Sequence, residues 1–284
     1  MDYTNRSDEV VLSTCVRYGE EARRWRNKFL GMLPEVNRRR LYEKEGCSSV
    51  VEFAKKVGGV SEEQVRRVLH VEEDLRDKPQ LHQLLVSGEV SINKLAKIHT
   101  VATPDNQELL ANQVQMLSAR AVETLARDIR HMQQVVTPSN KISFRHVPEL
   151  ASYKNLALSE EVEGRLLELQ RRGIDINQLL TELLDQREQE IEQEKDEIAH
   201  ELATQEEPQT RYIPARTKKI LEKEHGNICS RTGCNKPAAD IHHEKRWGVD
   251  PTNDPRYLSP LCEEHHEIAH TIDVKYQEKK RGRK

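Results

Sequence analysis

Aromatic side chains, long apolar runs and closely spaced cysteines are all scarce in this chain. Aromatics make up 4% of its 284 residues, while 33% are charged. That balance suits a helix-rich soluble protein with long exposed faces. No stretch approaches the roughly 18 apolar residues that a membrane span needs, which excludes a membrane partner through such a span. The opening residues, MDYTNRSDEV, are polar and acidic and lack the apolar core of a secretory signal, so the expected compartment is cytoplasmic. In a reducing compartment, cysteines that crowd near histidines read as metal ligands rather than disulfides. Cys-x2-Cys is absent, which removes the zinc-deaminase pattern. In HHEKRW the position where H-E-x-x-H needs its second histidine holds Trp247. Only seven residues separate Cys234 from His242, against about twelve between the ligand pairs of a Cys2His2 finger.

What is present is mostly helical periodicity. VVLSTCVRYGEEARRWRNKFLGML and SVVEFAKKVGG carry apolar residues three and four apart. SEEQVRRVLHVEEDL opens with Ser61 and Gln64, a pair spaced to satisfy each other's orphan backbone amides. The short helices between Val60 and Ile98, broken at Ser87-Gly88 and reopened at Ser91, also have the outline of a helix-turn-helix. KISFRHV alternates as a strand does, and SEEVEGRLLELQRRG and the long charged stretch that begins at Ile174 return to helix. Between Glu188 and Glu207 nine acidic residues face one lysine, Lys195. A run this charged reads as a solvated spacer; Leu179, Leu183, Ile191 and Ile198 are too sparse for a coiled coil. Residues 211–284 carry sixteen Lys and Arg against eleven Asp and Glu, and the chain closes on QEKKRGRK, which attracts polyanions. The expected organisation is an all-α domain over 1–135, a connector and acidic helix over 136–208, and a small C-terminal module with a basic tail over 209–284. The helical region is also the expected place for any homodimer contact.

The chemistry concentrates in that module. Cys229 and Cys234, His242 and His243, Cys262 and His265, and His266 and His270 form four short groups. A tetrahedral structural zinc takes two ligand pairs, each on a turn, and Cys229, Cys234, Cys262 and His265 supply them. If LCEEHHEIAH is helical, His266 and His270 share a face, while His265 lies about 100° round the helix from His266 and can serve the first ion. His242 completes a three-ligand site with room for a phosphate. On an extended backbone His243 points the other way, which frees it as a base toward water. Arg231, Lys245 and Arg246 are the candidate phosphate contacts.

Taken together, the Cys pair, the His doublet, Leu-Cys-x2-His-His and a last His four on resemble an HNH endonuclease, the ββα-metal fold of the nuclease colicins. The resemblance covers about residues 211–275; more faintly, the helical region is similar to the helical domain that precedes HNH modules in bacterial and mobile-element proteins. It implies a mainly α chain ending in a zinc-containing ββα-metal module that hydrolyses DNA. His242, His266 and His270 would hold a divalent ion (Mg²⁺, Mn²⁺, Ni²⁺ or Zn²⁺) and His243 would deprotonate the attacking water, leaving 5′-phosphate and 3′-hydroxyl ends. Two positions depart from the family. Tyr257 stands where the family has a bracing Asn, with Asn253 four residues earlier as a stand-in, and Gly248-Val249 replaces a glycine pair. A catalytically impaired module that binds DNA or another partner is the alternative, and a helical regulator reading DNA through residues 60–98 a third.

Overall fold

Ser61 accepts from the Gln64 amide while the Gln64 side chain reaches back to the Ser61 amide, so the expected capping box starts a helix where the sequence placed one. The computed structural model describes residues 4, 6–135, 158–204 and 210–271. Two compact units divide the chain, one within 1–134 and one within 135–269, with residues 270 and 271 grouping with the first. The protein is mainly helical. KISFRHV and the basic QEKKRGRK tail lie outside the described residues.

The first unit contains α1 (Asp8–Arg38), α2 (Val50–Gly58), α3 (Glu62–Asp74), α4 (Pro79–Ser87), α5 (Ile92–Ile98), α6 (Gln107–Met116) and α7 (Ala119–Val135). Its core is aliphatic, with Leu33, Ala54, Val65, Val68, Leu75, Leu81, Leu95, Ile98, Val114, Leu117 and Val122 all buried. Gly88 ends α4 at φ +69°, and a Cβ there would stand 2.5 Å from the Lys28 backbone nitrogen, so both conformation and contact require glycine. α5, the candidate recognition helix, buries Ile92, Leu95 and Ile98. Its polar side chains are engaged by neighbours: Asn93 by Arg67, Lys94 by the Val114 carbonyl, and Lys97 by Glu123 and the Ala119 carbonyl. Those bonds hold the side chains that a DNA-reading helix would extend toward base edges.

In the second unit, α8 (Glu160–Arg171) turns at Gly173 into α9 (Ile176–Thr204), followed by α10 (Ala215–His225), strand β1 (Asp240–His243), strand β2 (Leu258–Leu261) and α11 over 263–271. His270 and Thr271 continue the helix that carries His265 and His266. The acidic helix departs from the expectation of a solvated spacer. Its second half docks on α10, where Ile191, Ile198 and Leu202 form a buried cluster with Ile220. Lys195 bonds Glu224 at 2.7 Å, Lys223 bonds Glu194 at 3.0 Å, and Arg216 pairs with Glu197 at 2.8 Å and with Glu201. A charge run reads as solvated only until an oppositely charged helix is placed beside it.

β1 and β2 pair antiparallel, with His242 opposite Ser259 and His243 opposite Leu258. Ile241 packs on a cluster of Ile213, Leu221 and Leu258, which seats the hairpin against α10. Strand, strand and helix therefore follow one another through 240–271, and this segment carries most of the candidate ligands.

Candidate metal centre

The first candidate group starts from a turn. Gly233 adopts φ +78°, and the Cys234 amide donates to the Arg231 carbonyl at 2.9 Å, which folds Cys229 and Cys234 into a tight knuckle. The Cys229 amide bonds the Lys236 carbonyl, and the Ser230 amide bonds the Pro260 carbonyl at the end of the hairpin. Those bonds bring the knuckle to Cys262, just before α11, and to His265 in its first turn. All four side chains are buried, with their ligand atoms within 4.8 Å of one another. His265 Nδ1 lies 3.2 Å from Cys229 Sγ and 3.3 Å from Cys262 Sγ, and Cys234 Sγ lies 4.0 Å from Cys262 Sγ. A tetrahedral zinc, with bonds of about 2.3 Å to sulfur and 2.0–2.1 Å to nitrogen, sets such ligands roughly 3.5–3.8 Å apart. The group therefore fits a structural metal such as zinc.

Its electrostatics agree. Burial pushes the Cys262 thiol up, while the His265 backbone amide acts the other way. Without a cation, burial thus favours the thiol form of Cys262, and metal binding there displaces its proton. At the rim, the Lys236 ammonium lies 2.7 Å from Glu264 and holds that carboxyl at about 2, against the opposing effect of burial. Cys15 is exposed and Cys47 is buried in the first unit; neither joins the group.

The second group depends on the pleat. Along β1 His242 is buried and His243 half-buried, and the two rings find different neighbours, as alternation requires. The His242 ring meets that of His266 edge to face, with centroids 5.5 Å apart, and the ligand atoms of His242, His266 and His270 lie within 4.8 Å of one another. His266 and His270 are one helical turn apart, so α11 presents both together. Imidazole nitrogens on one ion sit about 3.0–3.4 Å apart, a modest closure from this arrangement. Three nitrogens leave at least one position on the ion for another ligand. Asp240 sits at the edge, its carboxylate 3.9 Å from His266 Nε2.

His243 instead faces a loop. Its Nε2 lies 3.1 Å from Asn253 Oδ1, and its ring meets Trp247 edge to face with centroids 5.2 Å apart. Asn253 is buried, and its amide nitrogen donates to the carbonyls of Thr210 at 2.9 Å and Tyr212 at 3.1 Å. Those two carbonyls fix which end of the amide is nitrogen, so the oxygen faces His243. Oδ1 only accepts; neutral His243 must therefore carry its proton on Nε2 and keep the lone pair on Nδ1. Tyr257 takes no part in this contact. Its ring lies under Lys245 Nζ at 3.6 Å, and its carbonyl accepts from the Glu244 amide.

The candidate phosphate contacts are placed unequally. Arg231 is exposed on the knuckle. Lys245 is held by Asp250 at 2.8 Å as well as by the Tyr257 ring, and the bond to Asp250 raises its pKa. Arg246 is half-buried, and its carbonyl closes a turn with the amides of Val249 and Asp250. Among the described residues no helix is long and apolar enough to cross a membrane. In comparisons with known proteins, no family model, no curated protein and no solved structure matches the chain.

Proposed function

We propose that the C-terminal module over 210–271 is a metal-dependent endonuclease of the HNH kind, acting on the phosphodiester bonds of DNA. One observation carries the reading: the adjacent pair His242-His243 divides between a three-histidine focus and a buried amide that sets the proton position of the second imidazole. A structural zinc knuckle has no need of either arrangement.

In this reading His242, His266 and His270 hold the divalent ion, which when bound stabilises negative charge on the phosphorane and on the departing 3′-oxygen. His243 Nδ1 takes a proton from water as its oxygen bonds to phosphorus, and the P–O3′ bond breaks, the departing 3′-oxygen taking a proton from solvent, to leave a 5′-phosphate and a 3′-hydroxyl. Asn253 is the positioning residue: it pins the tautomer and anchors the loop to the chain entering α10. The bracing part that the resemblance gave to Tyr257 passes to Asn253, which weakens the case for an impaired module. Cys229, Cys234, Cys262 and His265 fix the knuckle and the start of α11 with a structural zinc.

The test is plasmid nicking by the full chain with Mg²⁺, Mn²⁺, Ni²⁺ or Zn²⁺, with and without chelator, beside His243→Ala. General-base loss should slow nicking by about 10²–10⁴-fold at unchanged metal content. Equal nicking by both proteins would overturn the assignment of His243, and no metal-dependent nicking by the parent protein would overturn the nuclease itself.

A further inference from the structure

The first unit holds a third cluster of ligand-type side chains, outside the C-terminal chemistry. His70 and Asp74 stand one turn apart on α3, and His99 caps the end of α5. One ligand atom from each lies within 4.8 Å of the other two. His99 Nδ1 is 2.6 Å from Asp74 Oδ2, and His70 Nε2 is 3.9 Å from the same oxygen. The imidazoles meet edge to face, with centroids 5.3 Å apart and planes at 81°.

Three features suggest more than a hydrogen-bonded pair. First, i,i+4 spacing on one helix and packing of α3 against α5 set the backbone positions, so the three groups converge without a flexible loop. Second, the nearby lysine does not neutralise the carboxylate: Lys78 Nζ is held by the Asp74 carbonyl and by Asp77 Oδ1, each at 2.6 Å. The Asp74 carboxylate faces imidazoles instead. Third, exposure is graded, with side-chain values of 9% for His99, 37% for Asp74 and 66% for His70. An open depression of about 460 Å³, lined also by Arg76 and Lys78, adjoins Asp74 and His99.

We propose that His70, Asp74 and His99 bind a divalent transition-metal cation of the zinc class and so tie α3 to α5. Two imidazoles and one carboxylate select such ions over Mg²⁺ or Ca²⁺, which favour all-oxygen shells. Bonds of about 2.0–2.2 Å place ligand atoms roughly 3.0–3.5 Å apart. The observed separations of 2.6 and 3.9 Å fall on either side of that range, so shifts of about half an ångström in side chains suffice. Binding replaces the His99–Asp74 hydrogen bond, and water fills the positions on the open side.

The experiment is equilibrium dialysis of the full chain against buffered free Zn²⁺, with zinc counted per chain by elemental analysis, for the parent protein, His70→Ala and His70→Cys. All three keep the ligand groups of the C-terminal module. The parent should hold one zinc equivalent more than His70→Ala, and His70→Cys, which restores a ligand, should recover it. Circular dichroism should match in all three, since His70 is exposed. Equal zinc content in the parent and His70→Ala, or failure of His70→Cys to recover the difference, would overturn the site.

Discussion

Asn253 connects the proposed chemistry to the fold through a single amide. Asn253→Ala leaves the Thr210 and Tyr212 carbonyls without their donor, a loss of about 1–3 kcal/mol that a urea midpoint would read. Asn253→Asp is more informative. A carboxylate beside His243 favours the imidazolium, which lacks the lone pair a base needs. The acid limb of the pH–rate profile should therefore move to higher pH, while an unmoved limb would mean that Asn253 has no influence on the base. The doublet and the ligand groups were legible in the sequence because metal ligation leaves short-range spacings. The His243–Asn253 contact was not, because it depends on the course of the loop after β1. Tyr257, to which the resemblance assigned the bracing part, instead has its ring under Lys245 Nζ.

Among the elements, α9 and the hairpin with α11 were legible to different degrees. Helix and strand followed from periodicity and turn residues, but the docking of α9 on α10 joins residues about thirty positions apart, beyond the reach of local pattern. Ile191 and Ile198, which seemed too sparse for a dimer seam, are instead half of an internal one. Ile198→Ala should cost about 2–5 kcal/mol, measured by chemical denaturation of the second unit. A value near zero would mean that α9 does not bear on that unit's stability. In the first unit, Gly88→Ala should lower stability by at least about 1 kcal/mol, because the left-handed backbone and the approach to Lys28 both resist a Cβ.

For the molecule as a whole, two units with unlike sources of stability should unfold separately. The first rests on an aliphatic core, while in the second the buried Cys3His group joins the knuckle to the start of α11 beside a small hairpin. Strong chelation should lower one calorimetric transition and leave the helical signal of the first unit largely in place; a single transition that is insensitive to chelator would contradict a structural metal at the knuckle. Zinc affinity there should rise with pH between about 6 and 8, because the Cys262 thiol, raised by burial, must lose its proton to bind, and loading should acidify a weakly buffered solution. The sequence pattern set out three parts, 1–135, 136–208 and 209–284, with a boundary at about residue 208, whereas the second compact unit runs through 135–269.

The docked α9 also gives the second unit a polarity. Its outer surface still presents many exposed carboxylates after the inner ones have matched α10. Any polyanion arriving from that flank meets repulsion and is deflected toward the rest of the surface, so orientation is filtered before contact. Mobile ions shorten the range of that filter to about 8 Å at physiological strength, and more salt weakens it further.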